Sequence, residues 1–240
     1  MEKDSLAVVT GAAHRLGRIF ALMLAQHGYA ILLHYHRSEE LAIKTAAEIR
    51  AVGGEVYPVE ADLTDSAQIQ ALFSQIDSLK LPLKVLVNSA ARMKHKDLRN
   101  VSVEEWDSAL NLNLRVPFLM TQKAAERMEG GGVIVNVTDA GVWKTWTGYP
   151  AYLVSKSGLE MLTRLQAKTY APNIRVNAIA PGLVLPSSET SAENWEKLIS
   201  HLPLKHPASN DDLTSALEFI LNNHSITGQT IFVDGGYSLI

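Results

Sequence analysis

The chain has 240 residues, of which 47% are hydrophobic, and a formal net charge of -3 at pH 7. This length and apolar content fit one domain with a large core, and the slightly acidic charge excludes the basic surface typical of nucleic-acid and anionic-membrane binders. Because the chain has no cysteine, disulfides and thiolate metal sites are excluded, and a reducing compartment is indicated.

No segment has the features of a targeting signal or a membrane span. The apolar run at residues 6–10 is too short for a signal-peptide core. The longest apolar runs stay well below the ~20 residues that a spanning helix needs. We therefore expect a soluble cytoplasmic protein that acts on a small molecule and binds neither membrane nor nucleic acid.

Strand-like and helix-like segments alternate along the chain. Short apolar runs predict strands at residues 6–9, 29–33, 56–59, 84–87, 133–137, 175–179 and 230–233. Apolar residues at helical spacing predict helices at 16–24, 38–52, 65–79, 103–128, 149–170 and 211–221, the fourth bending near Pro117. This alternation predicts an α/β fold, a Rossmann-type doubly wound parallel sheet of about seven strands with helices on both faces, as a single domain over residues 1–240.

Residues 181–208 interrupt the alternation. Pro186, Pro203 and Pro207 stand among polar residues in this stretch. Prolines at this density oppose regular structure, and long connections in compact domains often cover a site. We predict a mobile substrate cover with a short helix around Trp195.

The stretch 139–156 places a carboxylate, a phenol and an ammonium close together. Asp139 follows the predicted strand 133–137, so it lies at the sheet edge where ligands bind. Tyr152 and Lys156 are four residues apart on a predicted helix and share one face. A free tyrosine has a pKa of about 10, and a neighbouring ammonium would lower it, which makes the phenol a usable acid. The alternative interpretation is a chance spacing on a helix surface.

The sequence TGAAHRLG follows the first predicted strand and opens the first helix. Gly11 would allow a tight turn and Gly17 a close approach of helix and sheet. The helix amino terminus could then hold a pyrophosphate. The alternative is that both glycines serve the turn alone, but their place in the first βα unit favours the phosphate interpretation.

The second predicted strand is followed by a basic and polar segment. His36, Arg37 and Ser38 stand where an enzyme that binds a free ribose 2'-hydroxyl would have an acid, and the first acid is Glu39. Their donors suit a ribose 2'-phosphate, so the segment favours NADPH over NADH. A solvated loop cation at Arg37 is the alternative.

Nine sequence features together resemble one family. The chain resembles the short-chain dehydrogenase/reductases over its whole length, and within them the pteridine reductases and dihydromonapterin reductases. Three features are more specific for the pteridine branch: Arg15, where most relatives have glycine, the segment HYHRS, and Asp139, where most have serine. The features are TGAAHRLG (10–17), HYHRS (34–38), ADL (61–63), LVNSAA (86–91), Asn113, Asp139, YLVSK (152–156), PGL (181–183) and VDGGYSL (233–239).

The resemblance implies roles for particular residues. It implies a proton relay of Asn113, Asp139, Tyr152 and Lys156, in which Lys156 also holds the nicotinamide ribose, and it implies a homotetramer. The expected contacts of NADPH are Gly11, Arg15, Leu16, Gly17, His36, Arg37, Ser38, Asp62, Leu63, Asn88, Ala90, Tyr152, Lys156, Pro181 and Gly182. The expected contacts of the substrate are Arg15, Met93, Asp139, Trp143 and Tyr152.

Two positions depart from the pteridine branch. Met93 stands where those relatives have an aromatic residue that stacks on the pterin, and Ala91 replaces a serine. Methionine can lie against a flat ring but supplies no aromatic stacking. Trp143 and Trp146 could supply the missing face, or else they pack in the core or lie exposed.

An aspartate in place of serine favours a particular reaction. A carboxylate would repel the negative charge that develops on a ketone oxygen during reduction. It would stabilise a cationic iminium, whose nitrogen also needs a proton. We therefore hypothesise hydride transfer from NADPH to a C=N bond of a pterin-like ring, with Tyr152 as proton donor assisted by Asp139 and Lys156.

Two rival functions remain open. One is an NADPH-dependent carbonyl reductase of the 3-oxoacyl-thioester or sugar ketone type, and the other is a non-catalytic sensor that binds NADPH. We predict no metal site, because the eight histidines show no metal-ligand spacing. His34 and His36, two apart on a strand, are better explained by packing or a phosphate neighbour.

Overall fold

The computed structural model describes residues 5–186 and 190–240, in which one parallel sheet has the strand order β3-β2-β1-β4-β5-β6-β7. This order confirms the predicted Rossmann-type α/β fold, in which the chain winds outwards in both directions from β1. The seven strands are β1 (Leu6–Val9), β2 (Ala30–Tyr35), β3 (Val56–Glu60), β4 (Leu83–Asn88), β5 (Gly132–Val137), β6 (Ile174–Pro181) and β7 (Thr230–Val233).

Helices cover both faces of the sheet, as the alternation predicts. None of the helices in the described residues is both long and apolar enough to cross a membrane. The α-helices are α1 (Arg15–Gln26), α2 (Glu39–Ala51), α3 (Ser66–Leu79), α4 (Val103–Leu110), α5 (Val116–Ala125), α6 (Pro150–Tyr170), α7 (Ala192–His201) and α8 (Asn210–Asn222).

Two apolar cores lie on the two faces of the sheet. Phe20 of α1 and Leu217 of α8 are fully buried on one face, together with apolar residues of α2. Phe73 of α3 and Met120 of α5 are fully buried on the other face, which α6 completes with Ala167. Burial of such a side chain contributes roughly 1.5–3 kcal/mol. These two cores fix the strands of the sheet relative to the helices on both faces.

The helical region after β4 bends earlier than predicted. The interruption is a π-helical turn at Asn111–Arg115, between α4 and α5, and Pro117 lies in the first turn of α5. Proline has no N–H, so the carbonyl of Asn113 lacks its usual α-helical donor four residues on. A wider turn before the proline accommodates this gap.

The segment 181–208 contains the predicted short helix, which is α7 and carries Trp195. Residues 187–189 of this segment lie outside the described residues. The role of the segment as a mobile substrate cover stays a prediction.

A buried histidine joins the ends of three strands. His34 of β2 is 3% exposed. Its Nδ1 accepts a hydrogen bond of 3.0 Å from the N–H of Gly11, and its Nε2 donates one of 3.0 Å to the carbonyl of Ala61. Burial lowers the pKa of His34 from 6.5 to about 4. The neutral ring therefore fixes the turn after β1 and the segment after β3.

We predict that this histidine makes stability depend on pH. Between pH 6.5 and 4 only the unfolded chain protonates it, so the free energy of unfolding falls as the pH falls. The shift of His34 corresponds to at most about 3 kcal/mol. Urea unfolding of the wild type at pH 7 and pH 4.5 should show this loss, and His34→Asn should show a smaller one. The exposed His224→Asn is the control and should lose as much as the wild type; an equal loss in all three proteins would contradict the prediction.

Candidate active site

A large cleft runs along the carboxyl ends of the strands. Its volume is about 2280 Å³, whereas pockets for a single small ligand measure roughly 300–1,000 Å³. The cleft therefore has room for a dinucleotide and a substrate together. Most of the sequence-predicted residues line it, namely Gly11, Arg15, Leu16, Gly17, His36, Arg37, Ser38, Asp62, Leu63, Ala90, Met93, Asp139, Tyr152, Lys156, Pro181 and Gly182.

The predicted carboxylate and phenol meet directly. Tyr152 Oη donates a hydrogen bond of 2.6 Å to Asp139 Oδ2, and the N–H of Gly141 donates one of 2.7 Å to Asp139 Oδ1. Asp139 follows β5, and Tyr152 lies in the first turn of α6, whose start is favoured by Pro150. The side chains thus converge from two elements, with both carboxylate oxygens engaged.

Burial changes the proton affinity of both groups. The pKa of Asp139 is raised above its ordinary value by loss of water, although the bonds from Tyr152 and Gly141 oppose the rise. Burial and the Asp139 carboxylate raise the pKa of Tyr152 well above 10. The expected lowering of the Tyr152 pKa is therefore wrong for these contacts, because the carboxylate is nearer to the phenol than the ammonium is.

Lys156 lies beneath the pair and is fully buried. Its Nζ donates a hydrogen bond of 2.6 Å to the carbonyl of Val137, and it lies 5.8 Å from the centre of the Tyr152 ring. Burial lowers the pKa of Lys156 from 10.5 to about 8, against the attraction of Asp139. The ammonium thus shares a face with Tyr152, as predicted, without touching its hydroxyl.

Asn113 holds the surrounding backbone and does not line the cleft. Its Oδ1 accepts from the N–H of Arg92 at 2.8 Å, and its Nδ2 donates to the Arg92 carbonyl at 2.9 Å and to Ser155 Oγ at 3.0 Å. The two bonds to Arg92 hold the segment after β4, and the bond to Ser155 holds α6. The side chain of Asn113 therefore positions the helix that carries Tyr152 and Lys156, and the part of Asn113 in a proton relay stays a prediction.

The turn after β1 requires its two glycines. Gly11 has φ 65°, and a Cβ there would lie 2.9 Å from the Cα of Ala90; a Cβ on Gly17 would lie 2.3 Å from the carbonyl oxygen of Gly11. The helix that follows, α1, has no acidic residue in its first turn and no side-chain cap. Its amide groups are thus open to an anion, so the turn fits the pyrophosphate of a dinucleotide.

The basic segment after β2 lines the far end of the cleft. His36 Nε2 lies 3.8 Å from Asp62 Oδ2. The pKa of Asp62 is lowered mainly by hydrogen bonds from Thr64, and also by the charges of His36 and Arg37. Arg37 therefore places a cation at this end of the cleft, beside the Asp62 carboxylate.

The guanidinium of Arg15 hydrogen-bonds to backbone carbonyls of the segment after β6. It donates to the carbonyls of Leu185 at 3.0 Å and Pro186 at 3.1 Å, and its contacts with cofactor and substrate stay predictions. Its φ of 50° is a left-handed conformation that costs a non-glycine residue roughly 1–2 kcal/mol. The side chain joins the glycine turn to the segment after β6.

Two predicted contacts lie away from the cleft. Asn88 is buried, and its Nδ2 donates to Asn136 Oδ1 at 2.8 Å, so it joins β4 to β5. Trp143 is 67% exposed and packs edge-on against Phe232, with 6.1 Å between ring centres. The contact of Asn88 with the cofactor and that of Trp143 with the substrate stay predictions, which these positions do not support.

Several cleft residues were absent from the predicted site, and Trp146, Tyr237 and His34 are among them. The sequence placed Trp146 only as an alternative, and the aromatic residue after VDGG was the one available signal for Tyr237. Among the described residues, no group of three or more potential ligands could hold a metal ion.

Comparison with known proteins identifies the family. A family model described as enoyl-(acyl carrier protein) reductase matches residues 11–238. The chain belongs to the short-chain dehydrogenase/reductase family. It is therefore an NAD(P)-dependent oxidoreductase, which confirms the predicted enzyme class and the nicotinamide cofactor.

Relatives of this reductase differ in the substrates they are named for. The 3-oxoacyl-[acyl-carrier-protein] reductase FabG of Staphylococcus aureus is 32% identical, with 98% of this chain and 99% of the relative covered. The structure of FolM alternative dihydrofolate reductase 1 from Brucella suis, in complex with NADP, is 33% identical with TM-score 0.94, covering 100% of this chain and 97% of that one. The promiscuous reductase LugOII, which catalyses a keto-reduction, is 30% identical with TM-score 0.93, covering 99% of both.

Proposed function

We propose that this reductase uses NADPH to reduce a C=N bond in a pterin-like ring. The observation that carries the proposal is the 2.6 Å hydrogen bond between Tyr152 Oη and Oδ2 of the half-buried Asp139. A carboxylate at this place suits a substrate that becomes cationic when its nitrogen is protonated. The likeness to a dihydrofolate reductase that holds NADP gives further support.

The residues of the chain divide the proton chemistry between them. A bound NADPH would supply the hydride. Tyr152 donates a proton to the ring nitrogen, and Asp139, on the other side of that hydroxyl, stabilises the positive charge of the protonated nitrogen. Lys156, whose Nζ lies 5.8 Å from the centre of the Tyr152 ring, returns a proton to Tyr152, and Asn113 positions the relay water through which that proton passes. General acid catalysis of this kind contributes typically 10²–10⁴-fold to the rate.

A carbonyl reductase is the second candidate. The pKa of Asp139 is raised by burial, and a neutral carboxyl can donate a hydrogen bond to a ketone oxygen, as a serine would. Relatives named for 3-oxoacyl-thioester and keto-reduction support this reading equally. The two candidates differ in what they need at position 139. Reduction of a C=N bond needs a carboxylate there, whereas reduction of a ketone needs only a hydrogen-bond donor.

We further propose that the reductase forms a homo-oligomer, a tetramer by family resemblance. Phe118 of α5 is 43% exposed, and Met161 and Leu165 of α6 are 50% and 57% exposed. These side chains form an apolar face on neighbouring helices of the same sheet layer. Such a face is more typical of an interface than of a solvated surface.

Replacement of Asp139 by serine separates the two substrate classes. We expect Asp139→Ser to lower kcat/KM for a 7,8-dihydropterin by at least about 100-fold, and to preserve or improve kcat/KM for a β-keto thioester. NADPH oxidation against both substrates is the measurement, and Tyr152→Phe, which removes the proton donor, is the control that should lose both. A dihydropterin rate that survives Asp139→Ser would exclude imine reduction as proposed.

Replacement of Arg37 by aspartate tests the cofactor preference. An aspartate at the end of β2 would repel a 2'-phosphate and accept a bond from a ribose 2'-hydroxyl. We expect the Kd of NADPH to rise at least about 10-fold and that of NADH to stay level or fall, as measured by fluorescence titration of the free enzyme. Equal changes for both dinucleotides would refute the role of Arg37.

A further inference from the structure

Aromatic side chains form a band beside the Asp139–Tyr152 pair. The ring centres of Trp146 and Tyr237 lie 5.6 Å apart, and those of Trp146 and Tyr149 lie 5.9 Å apart. His95 extends the band, 5.1 Å from Tyr149. All four residues line the cleft. We call Trp146 and Tyr237 the aromatic wall.

The indole of Trp146 lies close to the carboxylate of Asp139, which assists the proposed proton donor Tyr152. A Cβ on Gly141 would lie 2.6 Å from the Trp146 ring and 2.8 Å from Asp139 Oδ1. One small residue therefore separates the indole from the carboxylate. Because Trp146 is only partly buried, part of its ring faces the cleft.

The phenol of Tyr237 is held in place by the C-terminal turn. Asp234 accepts hydrogen bonds from the N–H groups of Gly236 at 2.9 Å and Ser238 at 2.8 Å. Gly236, with φ 84°, packs so closely that a Cβ would lie 2.7 Å from Pro203. Lys144 Nζ lies 4.0 Å above the Tyr237 ring. The position of the ring is therefore set before any substrate binds.

The hydroxyl of Tyr237 keeps its proton and lies within electrostatic reach of the pair. Burial, together with the charge of Asp139, raises the pKa of Tyr237 above its ordinary value, although a hydrogen bond from the Trp146 indole to the phenol opposes the rise. A protonated phenol can donate or accept one hydrogen bond. Tyr237 thus offers a polar contact next to the apolar face of Trp146.

A wall of this kind is useful here because the neighbouring cleft residue is not aromatic. Met93 lines the cleft and is 50% exposed. A thioether adapts to many shapes but does not fix the orientation of a planar ring. The ring planes of Trp146 and Tyr237 meet at 55°. One ring can therefore pack on the face of a planar ligand while the other contacts its edge.

We propose that Trp146 and Tyr237 form a specificity-determining subsite for a planar heteroaromatic ring, the indole packing on the ring and the Tyr237 hydroxyl bonding a polar edge group. This inference rests on the proposed function and names the residues that select its substrate. Tyr237 and Trp146 position the ring, while Tyr152 performs the proton transfer.

The test compares substrate affinity with turnover in variants of the wall. We expect Trp146→Leu to raise the KM of a 7,8-dihydropterin about 3- to 10-fold, and Tyr237→Phe to raise it about 5-fold. We expect kcat to change less than about twofold, since the proton donor is untouched. The KM of an acyclic β-keto thioester, which has no ring, should stay unchanged. Trp146→Phe keeps an aromatic face and should recover part of the affinity.

Binding supplies a second readout that does not depend on turnover. The Kd of the tetrahydropterin product for the NADP-bound enzyme, measured by isothermal titration calorimetry, should rise in Trp146→Leu and Tyr237→Phe as KM does. Tyr57→Phe, which removes a phenolic hydroxyl from β3 outside the cleft, is the matched control and should bind as the wild type does.

The outcomes separate the subsite from the reaction. A wild-type enzyme that reduces the dihydropterin, with both wall variants unchanged in KM and Kd, overturns the subsite and leaves the reaction standing. A wild-type enzyme whose pterin binding weakens in the variants but which does not reduce the dihydropterin overturns the reaction and supports the subsite. A wild-type enzyme that neither binds nor reduces the pterin overturns both.

Discussion

The hydrogen bond between Tyr152 Oη and Asp139 Oδ2 is the constraint on which the rest of the site depends. Tyr152 is buried and Asp139 is half-buried, and an ionised carboxylate withdrawn from water without partners costs several kcal/mol. The phenol and the N–H of Gly141 offset this cost by occupying one carboxylate oxygen each. The same bond raises the proton affinity of the phenol, so the two groups act as one unit that holds and releases protons.

The fold keeps this unit in register through a ladder of contacts between β5 and α6. Asn136 donates to Thr163 at 2.9 Å, Lys156 donates to Val137 at 2.6 Å, and Tyr152 donates to Asp139. Successive residues along the end of β5 thus meet successively earlier residues of α6, because the helix runs back over the strand. A shift of one element against the other would break all three contacts together.

The sequence predicts those parts of the site that regular elements position. Spacing on a helix fixes the common face of Tyr152 and Lys156, and a strand end fixes Asp139, so all three residues line the cleft as expected. Trp143 and Trp146 lie on an irregular connection, where direction depends on tertiary contacts with Phe232 and Tyr237. Local sequence does not show which of the two tryptophans lines the cleft, nor that Arg15 contacts Leu185 and Pro186. The raised pKa of Tyr152 likewise depends on burial and on the distance between its hydroxyl and Asp139, which are tertiary features.

The pKa of Asp139, measured with and without the Tyr152 hydroxyl, tests this account most directly. Infrared absorption of the protonated carboxyl, followed across pH in the wild type and in Tyr152→Phe and assigned with Asp139→Asn, gives the pKa of Asp139. Because the bond from Tyr152 favours the carboxylate, the account predicts a higher pKa of Asp139 in Tyr152→Phe than in the wild type. An unchanged or lower pKa in that variant would contradict it.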